Sequence, residues 1–199
     1  MSVAVDTPPT SFDLDRRTGW PEELRFLLAQ YPRAVWAEHV NLGDTARFWL
    51  QIHQGFRDIG GGLEAKATEF REGLIKPEDF RRWMAPRLQT LLTHLDGHHR
   101  IEDFHFFPVF SAAEPRLATG FEVLESDHHA IHDAMNATVL SANALLTASA
   151  TDNDALRRTA DAYARTHDAL LKRLDRHLLD EEDLIIPLIL DRTEGKLGM

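Results

Sequence analysis

The chain carries the same set of residues twice, at one fixed offset. His53 and His132 lie 79 positions apart, as do His98 and His177, Glu102 and Glu181, and Pro108 and Pro187. Leu91, Leu92, Leu95 and Asp96 recur as Leu170, Leu171, Leu174 and Asp175. Each half reads as a His, a 45-residue step, then H-x-x-x-E. Such internal repetition means that one supersecondary unit is built twice. Two copies of a 79-residue unit are too few and too long for a solenoid. The expected architecture is a duplicated helix hairpin packed about a pseudo-twofold axis.

Local patterns agree with that expectation. Residues 1–40 read as a Pro/Ser/Thr/Asp-rich arm (1–19) and a short helix from Glu22 to about Gln30, opened by Pro21 and stopped by Tyr31-Pro32. Residues 41–191 hold four longer helical segments. The first spans about 41–72, with Phe48, Ile52, Phe56 and Ile59 on one face. A kink is expected at Gly60-Gly61-Gly62, where each Gly costs about 1 kcal/mol relative to Ala. The second runs from Pro77 to just before Pro108, with a bend or break at Pro86 into 77–85 and 86–105. The third spans about 115–150; the fourth starts at the capping residues Asp152/Asp154 and ends at Asp183, ahead of the apolar run IIPLIL. Residues 192–199 form a tail. Strand alternation is absent. The fold class is therefore all-α, an antiparallel up-down four-helix bundle of two repeated hairpins with a short N-terminal helix.

At 199 residues the chain can bury a proper core without staples. The absence of Cys excludes disulfides, thiolate metal sites and cysteine nucleophiles. The opening MSVAVDTPPTSFDLD has neither the basic nor the apolar region of a secretory signal. No apolar run approaches the roughly 18–20 residues of a membrane span. A soluble cytoplasmic protein with no membrane partner is expected. The formal charge of −10 argues against nucleic acid as a partner. The Gly triplet lacks a strand–turn–helix setting for phosphate binding, no Ser/His/Asp arrangement can be argued, and HExxH is absent.

What remains is metal chemistry. Residues four apart share a helix face, so His98 points with Glu102, His177 with Glu181, and His128 with His132. His53 is the imidazole of the first helix. If these stripes face the bundle axis, five imidazoles and two carboxylates converge. That donor set suits iron, manganese or zinc better than calcium or magnesium, and inward His and Glu recur in di-iron bundles.

On these motifs the chain resembles the hemerythrin family, the H–HxxxE–H–HxxxE proteins also called hemerythrin HHE cation-binding domains, over about residues 41–191. The resemblance implies two iron ions about 3.5 Å apart, a spacing typical of two-metal sites. Carried over by position, His128, His132 and His177 would hold one iron, and His53 and His98 the other. Glu102 and Glu181 would bridge them, and the iron with two imidazoles would keep an open position. Invertebrate hemerythrin has an aspartate one residue beyond Glu181, where Glu182 stands here. The repeat favours Glu181, since Glu102 and Glu181 both lie six residues before a Pro. The 45-residue His-to-His step is longer than in the oxygen carriers. It is similar to that of the longer two-hairpin bacterial hemerythrin-like proteins, which points away from a simple carrier.

Other residues are placed by the same reasoning. His99 and Asp103 form a rival i, i+4 pair, but Leu178 stands opposite His99 in the repeat, so both are expected off the axis, as is His129. His94 and His105 lie on the stripe of His98 and Glu102. Tyr163 and His167 lie on the inward stripe of the fourth helix. Trp49, the repeat counterpart of His128, is expected in the core or as a pocket wall. Glu182, Asp183 and Asp103 are expected as exposed neighbours of the inward glutamates, and Arg57 and Arg100 at the surface or in salt bridges. The expected function is reversible binding or sensing of a small ligand, O2 or else NO, at a di-iron centre. The alternatives are a di-iron enzyme acting on peroxide or another small oxidant, with His94, Tyr163 and His167 as candidate proton suppliers, and an iron-handling protein. A redox partner is not specified by the sequence.

Overall fold

The computed structural model describes residues 12–199, and no strand occurs among them. The helices are α1 (Phe26–Gln30), α2 (Arg33–Trp36), α3 (Asp44–Arg71), α4 (Pro77–Ile101), α5 (Phe107–Ala113), α6 (Ala118–Thr147), α7 (Asn153–Arg192) and α8 (Glu194–Leu197). A π-helical turn, Glu102–Phe106, joins α4 to α5, and 3-10 turns cover Glu22–Leu24 and Pro115–Leu117. The four long helices close a ring: α3 packs on α4 and α7, and α6 packs on α4 and α7. The chain is an all-α bundle, as the repeat implied. No helix among the described residues is long and apolar enough to cross a membrane.

The packing stripes explain the ring. Along α3 the buried positions are Ala46, Trp49, His53, Phe56, Gly60, Leu63, Ala67 and Phe70. They alternate steps of three and four, the seam of a helix packed nearly parallel to its neighbours. α7 repeats this with Leu156, Ala160, Tyr163, His167, Leu170, Leu174 and His177. The α3 stripe lies beside the one expected from sequence. Phe48 is 59% exposed, and Ile52 and Ile59 are only partly buried. Their neighbours Trp49, His53 and Gly60 take the inward face.

At three places where an interruption was expected the chain stays helical, each for a physical reason. The Gly triplet stays within an unbroken α3. Gly60 lies against α7 so closely that a Cβ would meet Leu171 Cδ2 at 2.5 Å; it serves close approach. Pro86 sits inside a continuous α4, on its exposed side, as does Arg82 one turn earlier. The carbonyl that loses its partner there can hydrogen-bond water. The helix also runs past Pro108, through the π turn, in which Phe107 N donates to Glu102 O. Pro108 lacks the N–H that an α-helical ladder needs at that place.

The fourth helix does not end at Asp183. α7 continues through Pro187 to Arg192, and Leu184 through Leu190 are all buried. A helix apolar on every side needs cover on every side, and the N-terminal segment supplies it. Trp20, Leu24, Leu27 and Trp36 pack with Leu184, Ile185, Ile186, Leu188 and Ile189 in one apolar cluster. The described part of the expected arm, residues 12–19, is likewise anchored, with Leu14 and Arg17 buried; residues 1–11 of it lie outside the described residues. A second apolar cluster, from Phe56 to Phe70 on α3 and from Phe80 to Leu95 on α4, fills the opposite end of the bundle.

Pro86→Ala should stabilise the metal-free protein by about 1–3 kcal/mol, since it removes a proline from a solvent-facing helix interior. Chemical denaturation followed by circular dichroism measures this. An unchanged or lowered midpoint would mean that Pro86 shapes α4.

Candidate metal centre

Between the two apolar clusters lie seven inward His and Glu side chains. Their donor atoms form two groups, each within 4.8 Å: His99, Glu102, His128 and His177, and His53, His98, Glu102 and Glu181. The first is fully buried; in the second, only His98 is partly exposed. α3 supplies His53, and α4 with its π turn supplies His98, His99 and Glu102. α6 supplies His128, and α7 supplies His177 and Glu181.

Each glutamate reaches both sets of imidazoles. Glu102 Oε1 lies 2.8 Å from His98 Nε2, and its Oε2 lies 3.5 Å from His128 Nε2. Glu181 Oε1 lies 3.4 Å from His53 Nε2, and its Oε2 lies 3.3 Å from His177 Nε2. Trp49 Nε1 also donates to Glu181 Oε1 at 2.6 Å. The Nε2 atoms of His53 and His98 approach to 3.1 Å, and those of His128 and His177 to 3.2 Å.

Carboxylates fix the imidazoles from behind. His128 Nδ1 lies 2.7 Å from Asp103 Oδ1, His53 Nδ1 lies 3.1 Å from Glu182 Oε1, and His177 Nδ1 lies 3.4 Å from Asp127 Oδ2. A carboxylate accepting the Nδ1 proton leaves the Nε2 lone pair aimed inward, the arrangement that orients imidazole for metal binding. Both oxygens of Glu102, Oε2 of Glu181 and both ring nitrogens of His99 are buried without a hydrogen-bond partner. Buried polar atoms normally have one. Nitrogen and oxygen lone pairs converging in this way fit a metal cation.

The electrostatics of the metal-free cluster follow from burial and mutual proximity. Burial, then the negative Glu181, raises Glu102 well above the usual carboxylate range. Burial acts the same way on Glu181, but the imidazoles of His53 and His177 outweigh it and hold its pKa well down. Burial lowers His98 to about 3 and also depresses His99 and His128. It opposes charge on His177 too, but hydrogen bonds and charges from Asp127 and Glu181 raise that group to about 9. Burial likewise works against Glu182, yet His53 and Arg33 hold it at about 2.

Six of the seven residues expected as ligands enter these groups: His53, His98, Glu102, His128, His177 and Glu181. His132 does not. Its side chain is 36% exposed and lies 3.6 Å from Asp96 on the outer side of the bundle. After His128 the inward stripe of α6 steps by three to Ile131, which is fully buried, so His132 turns away. His99, expected off the axis, takes the inward place: it is fully buried and stacks on His128 at 4.0 Å and 11°. Its repeat counterpart Leu178 is also fully buried; an apolar residue there, which on sequence alone argued for placing His99 off the axis, is instead the mark of an inward position.

The surroundings need further corrections. Glu182 is buried against His53, and Asp103 bonds His128; neither is merely an exposed neighbour. His94 and His105 are exposed, and so is His129, as expected. Tyr163 and His167 are buried, but precede His177 by 14 and 10 residues. That places them roughly 21 and 15 Å away along α7. Arg57 pairs with Glu182 at 2.8 Å, and Arg100 is exposed.

Fold and site together define a helical-bundle protein built to hold metal ions. Residues 44–189 match the Hemerythrin HHE cation binding domain, and the chain belongs to that family. No curated protein and no solved structure matches it.

Two expectations follow. His99→Ala should reduce the metal bound by the purified protein, whereas His132→Ala should leave it unchanged; metal analysis with the opposite ranking would restore His132 to the inner set. Metal uptake at pH 7 should release protons, because His177, at about 9, holds one in the metal-free protein, and burial beside Glu181 shifts Glu102 towards its protonated form. Apparent affinity should fall as pH drops below about 9. The His177 proton also stabilises the metal-free fold fully below its ordinary pKa of 6.5, and that contribution is lost as pH rises through about 9. Titration in weak buffer with a pH indicator, and metal-free melts across that range, measure both; uptake without proton release would contradict the assignment.

Proposed function

We propose that the chain is a non-haem di-iron protein that reversibly binds or senses a small ligand, O2 in the first place and NO as the alternative. The observation that carries this is the pair of imidazole groups sharing two carboxylates, each carboxylate presenting one oxygen to either side. His99, His128 and His177 would hold one ion, His53 and His98 the other, with Glu102 and Glu181 between them. An iron pair so held would supply two-electron chemistry, and the side with two imidazoles, having fewer protein donors, would leave room for a small ligand.

The residues around that side favour binding over turnover. Trp49 and Phe56 lie edge-on or tilted to His98, at ring separations of 5.9 and 5.2 Å, and Phe106 meets Trp49 edge-on at 4.7 Å. These aromatic walls restrict water and large substrates. Glu181 is held by Trp49 and cannot readily give up its place. Of the candidate proton suppliers, His94 is exposed, and Tyr163 and His167 lie several helical turns away. A general acid must reach the reacting atom within hydrogen-bond distance or through one water, and these three are not so placed.

The test is an O2 titration of the anaerobic, iron(II)-loaded protein with an optical readout. A visible absorption band that appears with O2 and fades when O2 is removed is the expected result, with added peroxide consumed only stoichiometrically with the site. Many peroxide turnovers per site without loss of iron would replace this reading by the enzymatic one. A single tightly held ion would end the di-iron assignment.

A further inference from the structure

Residues 12–43 precede the matched region 44–189, yet three of their side chains converge on the stretch of α7 around Glu181. Trp20 Nε1 donates to the carbonyl of Asp180 at 2.7 Å. Arg33 donates through Nη2 to the carbonyl of Leu179 at 2.9 Å, through Nη1 to Glu182 at 2.8 Å, and through Nε to Asp183 at 2.8 Å. Arg17, whose side chain has no exposure, donates Nε to Asp180 Oδ2 at 2.6 Å and pairs through Nη2 with Asp127.

Two chains of contacts lead inward from this grip. One is Arg17–Asp127–His177, and the other is Arg33–Glu182–His53. They end on different imidazole groups, one on each side of the shared glutamates. A planar guanidinium fork fixes the orientation of the carboxylate it binds. That carboxylate in turn selects the imidazole tautomer and aims its Nε2. Burying an arginine is costly unless its partners are charged and well placed, and packing on α7 alone would be served by an apolar side chain.

We propose that the N-terminal segment is a clasp that positions the metal-binding imidazoles: Arg17 acts on His177 through Asp127, and Arg33 acts on His53 through Glu182. The inference rests on the metal-binding reading of the centre. Arg17 and Arg33 touch no donor atom of the two groups; they are positioning residues. The chain's own N-terminus thereby completes a centre whose donors all lie within the matched domain.

The experiment is a Co(II) titration of the metal-free full-length chain and of Arg17→Gln, Arg17→Lys and Arg33→Gln, followed by visible absorption, with circular dichroism on each metal-free variant. The wild type should take up two ions. Arg17→Gln should weaken one of them about 10–100-fold and shift its absorption band, and this should be the ion that His99→Ala removes. Arg17→Lys, which keeps the charge without the fork, should recover part of the loss. Arg33→Gln should weaken the other ion and by less, because Arg57 also holds Glu182 at 2.8 Å. If Arg17→Gln does not fold, Asp127→Asn should show the same selective loss. Helical variants with wild-type affinities and spectra would overturn the proposal, as would equal weakening of both ions together with a general loss of helix stability. A wild-type chain that takes up no metal would instead remove the metal-binding reading itself, and the clasp with it.

Discussion

Burying Glu102 and Glu181 together between two apolar clusters costs several kcal/mol per charge unless cations or donors surround them. Most features of the bundle answer that requirement. Five imidazoles line the cavity, Trp49 donates to one glutamate, and three further carboxylates polarise the imidazoles from outside. Those carboxylates need counter-charges of their own, and Arg17, Arg33 and Arg57 provide them for Asp127 and Glu182. Charge alternates outward from the centre in shells, from carboxylate to imidazole to carboxylate to guanidinium. An apolar bundle of the same shape would have no use for such an arrangement.

The two halves of the repeat are related but not equal. Trp49 and His128 occupy equivalent positions, and each points at the glutamate of the other half. One is a hydrogen-bond donor that cannot bind metal; the other offers a lone pair. Likewise Leu178 and His99 are both buried at equivalent positions, but only His99 adds a donor. The duplication thus sets the frame, and substitutions at equivalent inward positions give three imidazoles on one side and two on the other. An asymmetric donor set is built on a duplicated pattern.

This also explains how far the sequence could be read. The helical class, the four long segments and five of the seven inward donors follow from the 79-residue offset, because residues at matched positions sit in matched environments; His128 follows instead from its i, i+4 spacing to His132 and from the family resemblance. His132 misled because it matches His53 in the repeat and forms an i, i+4 pair with His128, and both facts are local. The seam of α6 averages closer to 3.5 than to 4 residues, and its packing against α4 and α7 selects Ile131 instead. The stripe of α3 shifted by one residue for the same reason, since Phe48 is as apolar as Trp49. Arg17 was not legible because an arginine among aspartates reads as solvated, although Leu14 and Trp20 nearby hinted at anchoring. The end of α7 is hard to place from sequence because a proline within an all-apolar run looks like a terminus until the covering segment is known.

The contacts that complete the centre span nearly the whole chain, for Arg17 meets Asp180 across 163 residues of sequence. His177 and Glu181 come from the last long helix, and the arginines that hold the neighbouring carboxylates Asp127, Asp180 and Glu182 come from the first residues described. Contacts of such separation pay loop-closure entropy before they are rewarded. A chain emerging from the ribosome presents its first hairpin, with His53, His98, His99 and Glu102, before α7 exists. More than half of the donor set is therefore exposed early, before the second carboxylate exists and before Arg17 and Arg33 have their partners on α6 and α7. Assembly of the complete centre is a late event in folding, coupled to docking of α7 and closure of the N-terminal segment over it.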